Sequence, residues 1–396
     1  MIYRFADCAL DVRRHELSRA GAPVHVEPQV FQLLQSLVQR PEELVSKDCL
    51  VEEVWNGLAV SDATINARVS AARKAVGDDG ARQEILRTVP RLGFMLAVPV
   101  TVIGAAPDNQ SVPLPPGGEV RYAVSSDGAG IAWTSDGEGP AMVRIGHWLS
   151  HVELDRSSEI WGPLIERLSA RHRLIRYDAR GTGLSQRDAE IGPLALAVDD
   201  LAAVIDASGV DRAVLVASSQ AVPVALAFAA RHPERVKKLA LHGGYALGRV
   251  LRDPSAGEMA EETALTMIRS GWGRHGDVLM AAFSRIFAPD ATEAQIAGLI
   301  DMQRATASPE TAVMIREAVD RYDVRDLLPK VTAPVLLMHA EGDAVHPMSQ
   351  SQYLAAHLPD ARLRVLPGKN HIALPQTPAW AQMIEAIEGF LAEEPG

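Results

Sequence analysis

Two unlike folds in one chain are what this sequence predicts. The first is a small α+β unit of short strands, three helices and a closing hairpin. The second is a larger α/β unit with a mainly parallel sheet and a helical insertion. Three observations carry this reading. At 396 residues the chain exceeds one ordinary domain. Apolar runs in the first hundred residues are short and broken by turns, whereas beyond residue 120 apolar strands alternate with helix-length amphipathic segments. Between them lie Gly104, Pro107, Pro113, Pro115, Pro116, Gly117 and Gly118 with no apolar periodicity, the composition of a linker. The expected division is residues 1–99, a linker over 100–119, and residues 120–396.

Bulk composition sets limits. Hydrophobic residues make up 47% and charged residues 22%, as in soluble globular proteins. The net charge of −11 is uneven: residues 1–100 hold 12 Lys/Arg against 13 Asp/Glu, so they carry −1 and the rest −10. The acidity lies where a nucleic-acid reader could tolerate it. Cys8 and Cys49 have no metal spacing, and no cysteine follows them, which excludes a thiol nucleophile in the second unit. No apolar run reaches the roughly 18 residues that span a bilayer, and the N-terminus has no signal-peptide core. The expectation is a cytoplasmic protein with no membrane partner and no cofactor.

In the first unit, Ile2–Phe5, Ala9–Val12 and Val24–Val26 suit short strands. Val30, Leu33, Leu34, Leu37 and Val38 mark one face of a helix that Pro41 ends. Ser46 heads a second helix through Leu50, Val51, Val54 and Trp55. Ser61 caps a third, whose buried stripe is Ile65, Val69, Ala72 and Val76, with Gly77 closing it. A ribbon follows over Ile85–Val89 and Gly93–Ala97.

The stretches LVSKDCLVEEVW, SDATINARVSAARKAVGD and ILRTVPRLGF resemble, in order and spacing, the winged helix-turn-helix domain of OmpR/PhoB-type and CadC-type regulators. That resemblance implies a third helix in the DNA major groove and a wing at the minor groove. By position, Asn66, Arg68, Arg73 and Lys74 would face DNA from the helix, and Arg87, Thr88 and Arg91 from the wing. Arg73 has a second reading as a tie within the domain. Independently, Ser61 to Gly93 carries six Lys/Arg against four Asp/Glu, the sign that phosphate contacts need. Ala67 and Ala71 leave few side chains for base edges, so readout is expected to be sparse or shape-based.

In the second unit the strand candidates are Ile131–Trp133, Met142–Ile145, Leu174–Tyr177, Val214–Ala217, Lys238–His242, Val335–His339 and Leu363–Leu366. Helices fit Ile160–Ser169, Leu194–Ser208, Val222–Arg231 and Ala379–Leu391. Ser219 falls between a strand and a helix, the setting of a nucleophile elbow. A serine needs a neighbouring base, and the base an orienting acid. Asp343 follows the strand at Val335–His339, and His371 follows the last strand. His339 and His346 flank Asp343 but precede that strand, which argues against either as the base.

With YDARGTGLS, FAARHPERVKKLALHGG and APVLLMHAEGDAVHP, this unit resembles the α/β-hydrolase fold, with a helical cap over about 245–327. The resemblance implies a Ser219–Asp343–His371 triad and an oxyanion hole from the Gln220 backbone N–H. The second donor would come from Trp148, with Leu149 as the alternative. The elbow departs from Gly-x-Ser-x-Gly: Ala217-Ser218-Ser219-Gln220-Ala221 adds two methyls at a strained turn. The expected function is a DNA-binding regulator whose hydrolase-like unit senses a small ester or lactone and hydrolyses it slowly. The alternative is a working serine esterase with the first unit as a targeting or interaction module. Expected partners are double-stranded DNA, a small-molecule ligand or substrate, RNA polymerase and a second copy of the chain.

Overall fold

The computed structural model describes residues 2–11, 16–38, 40, 44–55, 60–90, 92–103, 119–147, 150–272 and 278–393. The chain divides into two compact units, Met1–Leu114 and Pro115–Gly396.

The first unit opens with an antiparallel sheet. Its strand order is Ala22–Val24, Glu16–Arg19, Cys8–Asp11, Ile2–Phe5 and Val100–Ile103. The last strand corrects the expected linker boundary at residue 100: Val100 to Ile103 pair antiparallel with the chain's first strand, Ile2 opposite Ile103. Residues 104–118 of the expected linker lie outside the described residues. Helices Pro28–Val38, Lys47–Trp55 and Asp62–Val76 follow the sheet. Leu33, Leu34, Leu37 and Leu50 from the first two are fully buried, as their helical spacing requires. Ser61 Oγ accepts the Thr64 N–H at 3.2 Å and starts the third helix. Gly77 ends it in the left-handed region at φ +79°. The hairpin Leu86–Val89 and Gly93–Leu96, joined by Val45–Ser46, makes a second small sheet.

The second unit is built on an eight-stranded sheet. Its order is Ala361–Leu366, Val335–Ala340, Val236–His242, Ala213–Ser218, Ala141–Arg144, Arg173–Tyr177, Gly130–Asp136 and Arg121–Val124. Neighbours are parallel from Ala361–Leu366 through Arg173–Tyr177, and antiparallel beyond. The inner strands read as continuous apolar runs because helices cover both faces. Val214, Leu215 and Val216 illustrate this, buried alternately in two separate cores. Helices Arg249–Arg252, Pro254–Gly271, Val278–Phe287, Glu293–Thr306 and Pro309–Val319 form the expected insertion between strands Val236–His242 and Val335–Ala340. Among the described residues no helix is long and apolar enough to cross a membrane.

Candidate functional site

Ser219 lies between strand Ala213–Ser218 and helix Ala221–Arg231, at φ +53°. That left-handed backbone costs a non-glycine residue about 1–2 kcal/mol. It persists because the turn is pinned: the Ser219 N–H donates to the His242 carbonyl at 2.9 Å. Ala217 and Ala221 stand at the elbow's two glycine positions, and both are buried.

Asp343 and His371 come together from two loops. His371 Nδ1 lies 2.7 Å from Asp343 Oδ2. Burial alone would raise the Asp343 carboxyl. The hydrogen bond from His371, its charge and the N–H groups of Val345 and His346 outweigh that and hold it below its ordinary value. Gly243 makes room for the pair: at φ +57°, a Cβ there would stand 3.1 Å from His371 Cε1 and 3.2 Å from its Nδ1. His371, Ser219 and Gln220 line one pocket, with His147, His242, Trp161 and Phe287 among its walls.

The serine and the expected base share this pocket but form no hydrogen bond. Ser219 Oγ instead lies 3.5 Å from His346 Nε2, and His371 Nε2 is buried with no partner. Chain order argues against His346, yet the Asp343 loop folds back on itself. His346 donates its N–H to Asp343 Oδ1 at 3.2 Å, which returns its ring to the serine. An Asx-type turn at Asp343, with His three residues on, was the available sequence signal. His339, by contrast, is held away by Ser351 Oγ at 2.7 Å and the His346 carbonyl at 3.0 Å.

The surrounding histidines are kept neutral. Burial first, then the charge of His371, lowers His242 to about 3. Burial, then His371 and the arginines Arg252, Arg316 and Arg249, hold His346 well below its usual value. Burial, then Arg144, does the same for His147, whose Nε2 sits 3.1 Å from an Arg144 Nη2. Trp148 and Leu149 lie outside the described residues.

The first unit redistributes the expected DNA-facing residues. Asn66, Lys74 and Arg87 are exposed. Arg91 lies outside the described residues. Arg73 is corrected to an internal clamp, only 9% exposed. It donates to the Leu86 carbonyl at 3.0 and 2.8 Å, to Thr88 Oγ1 at 2.8 Å and to Gln83 Oε1 at 3.3 Å, tying the third helix to the hairpin. Thr88 is thereby engaged from inside. Arg68 is half-buried and braces the first helix, through Gln29 Oε1 at 2.9 Å and Glu27 Oε2 at 2.9 Å.

Residues 149–378 match the profile of the alpha/beta hydrolase fold, and residues 21–96 that of the C-terminal domain of transcriptional regulatory proteins. The chain is 30% identical over 240 residues to a protein of Azorhizobium caulinodans named for the carbamate hydrolase RutD. The match covers 59% of this chain and 86% of that protein. It is 28% identical over 255 residues to a pimeloyl-[acyl-carrier protein] methyl ester esterase of Nitrosomonas europaea, covering 61% and 93%. Among solved structures, the enol-lactonase of Burkholderia xenovorans has the same fold, with a TM-score of 0.56, 22% identity, and 69% and 100% of the two chains covered. Both domain types are therefore present in one chain.

Proposed function

We propose, from the premise that the chain belongs to the α/β-hydrolase fold family, that it is a DNA-binding regulator whose hydrolase unit receives a small ester, lactone or related acyl compound at Ser219. The observation that carries this reading is the Asp343–His371 pair at 2.7 Å, facing the pocket that holds Ser219, in a chain that also has a regulator-type DNA-binding domain. The names of its relatives, a carbamate hydrolase and a methyl ester esterase, support an acyl-type ligand.

In this account His371 Nε2 is the base. Ser219 Oγ turns from His346 toward it, loses its proton to it and attacks the ligand carbonyl. Asp343 holds the ring in the required tautomer and stabilises its positive form. The Gln220 N–H at the head of its helix, with a donor at Trp148, stabilises the oxyanion. His371 then protonates the leaving oxygen, and water releases the acyl group by the reverse sequence. The resting contact with His346 makes turnover slow, so that occupancy of the pocket is the signal. Lys74, Asn66, Arg87 and Arg91 face DNA, a second copy of the chain supplies the other half-site, and RNA polymerase is the further partner.

A second reading, a working serine esterase with the first unit as a targeting module, draws on the same Asp343–His371 pair. The test is a fluorophosphonate probe with folded full-length protein. Labelling that is lost in Ser219→Ala supports serine chemistry, and its absence in folded protein sinks Ser219 as an activated nucleophile and with it the esterase reading. DNA affinity that responds to ligand then separates the regulator from the esterase.

A further inference from the structure

Behind the catalytic pocket the cap holds a much roomier cavity. The pocket at Ser219 has about 40 Å³ of free volume, space for a few waters. The cavity in the cap has about 470 Å³. Phe287 lines both. Its ring centroid is 5.9 Å from that of His371. Val345 also lines the cavity, and its N–H donates to Asp343 Oδ1 at 2.7 Å. The larger space therefore adjoins the acid–base pair.

Its lining is charged in one sign. Arg249 and Arg252 come from one short helix and Arg316 from the last cap helix. Arg316 is buried and sits 2.9 Å from Asp320 Oδ2. Among the described residues Asp320 is the carboxylate whose charge reaches Arg249 and Arg252, neither of which forms an ion pair with it, and Arg252 Nη1 is buried with no hydrogen-bond partner. Burial and then the charge of Arg316 lower Arg249 to about 10, and Asp320 is the carboxylate that opposes them. Three guanidiniums against one carboxylate, half-buried beside apolar walls, are costly until an anion joins them. Guanidinium forks match the paired oxygens of a carboxylate or phosphate.

We infer that Arg249, Arg252 and Arg316 form an anion subsite in the cap, and that the ligand is an acyl compound with its reactive carbonyl at Ser219 and a carboxylate or phosphate tail in the cap cavity. This rests on the proposed function for the carbonyl end and adds the class of the other end. It explains why the space at the serine is small: the ligand's bulk lies past Phe287.

The test is calorimetric binding to the full-length Ser219→Ala protein, which cannot turn over. The ligands are monomethyl adipate, monohexyl phosphate and neutral methyl hexanoate. At least one anion should bind about tenfold or more tighter than the neutral ester, as charge-assisted hydrogen bonds imply, and the tighter of the two identifies the headgroup. Arg249→Gln and Arg252→Gln, made singly and together, should each erode that preference with the melting temperature kept. The singles guard against a double variant that fails to fold. Equal binding of anionic and neutral ligands, a preference that survives both substitutions, or no binding of any of the three overturns the subsite. If the anion preference holds but DNA affinity ignores the ligand, the sensing role fails and the subsite stands. If the preference is absent while the fluorophosphonate labels Ser219, the subsite fails and the serine chemistry stands.

Discussion

Replacing Arg73 with alanine should destabilise the first domain rather than merely weaken its grip on DNA. The guanidinium donates to the Leu86 carbonyl twice, to Thr88 Oγ1 and to Gln83 Oε1, from a side chain with little exposure. Truncation leaves the buried Leu86 carbonyl with a lost donor and opens the seam between helix and hairpin. A hydrogen bond from a charged group contributes about 1.5–3 kcal/mol net. The bonds share one group and do not add, so the expected loss is about 2–4 kcal/mol. At roughly 4–8 °C per kcal/mol for a domain of this size, the domain's unfolding midpoint drops by roughly 8–32 °C. Arg73→Lys keeps the charge but not the fork, and should recover part of the loss. Scanning calorimetry of the full chain, with hydrogen exchange across residues 83–96, reads the effect. An unchanged midpoint, together with tenfold weaker DNA binding and a salt slope shallower by about one, would show Arg73 to be a phosphate contact and refute the reasoning.

Further predictions concern the exposed cations, the neutral histidines and the glycine beside His371. Lys74→Ala and Arg87→Ala should each leave the melting temperature in place, weaken DNA binding across sequences and reduce the salt slope by about one; unchanged binding in the double variant refutes that face. His242 stays neutral when folded, down to about 3, but takes a proton near 6.5 when unfolded. The contribution of His242 to stability is therefore full above about 6.5 and falls as pH drops toward about 3, by at most about 1.4 kcal/mol per pH unit. Melts between about pH 7.5 and 5 should show this decline, and His242→Gln should flatten it; a pH-independent midpoint in the parent protein contradicts it. Gly243→Ala puts a Cβ against His371 at a left-handed backbone position. Fluorophosphonate labelling should slow by about 10–100-fold as the base is displaced, and an unchanged rate would mean that His371 does not act.

Much of this was readable from residue order. Ser219 announced itself because a strand, a tight turn and a helix meet there, and Asp343 and His371 because each follows a strand of the parallel set. What stayed hidden has physical reasons. Arg73 lies four residues after Val69 and three before Val76, a spacing that borders the stripe of Ile65, Val69, Ala72 and Val76; its charge set it with the DNA-facing residues, and only the hairpin carbonyls show that it turns inward. His346 returns to Ser219 only because the Asp343 carboxylate folds its own loop. The strand Val100–Ile103 pairs with the chain's first residues, a contact too distant in sequence for local pattern to reveal. The strands Glu16–Arg19 and Arg121–Val124 are only four residues long, and the first has no apolar run to mark it. The cap arginines come from two helices more than sixty residues apart, and only the fold gathers them.

The central claim is that a hydrolase-type pocket governs a DNA reader, and one measurement addresses it most directly. Full-length protein, with Ser219 left free or blocked by a fluorophosphonate, is titrated against the DNA upstream of its own coding sequence at fixed salt. The account predicts that blocking Ser219 changes DNA affinity by about fivefold or more, the lower end of ordinary coupling between sites, and that Ser219→Ala treated in the same way shows no change. Complete labelling with identical DNA affinity would contradict the claim and leave a serine hydrolase that happens to carry a DNA-binding domain.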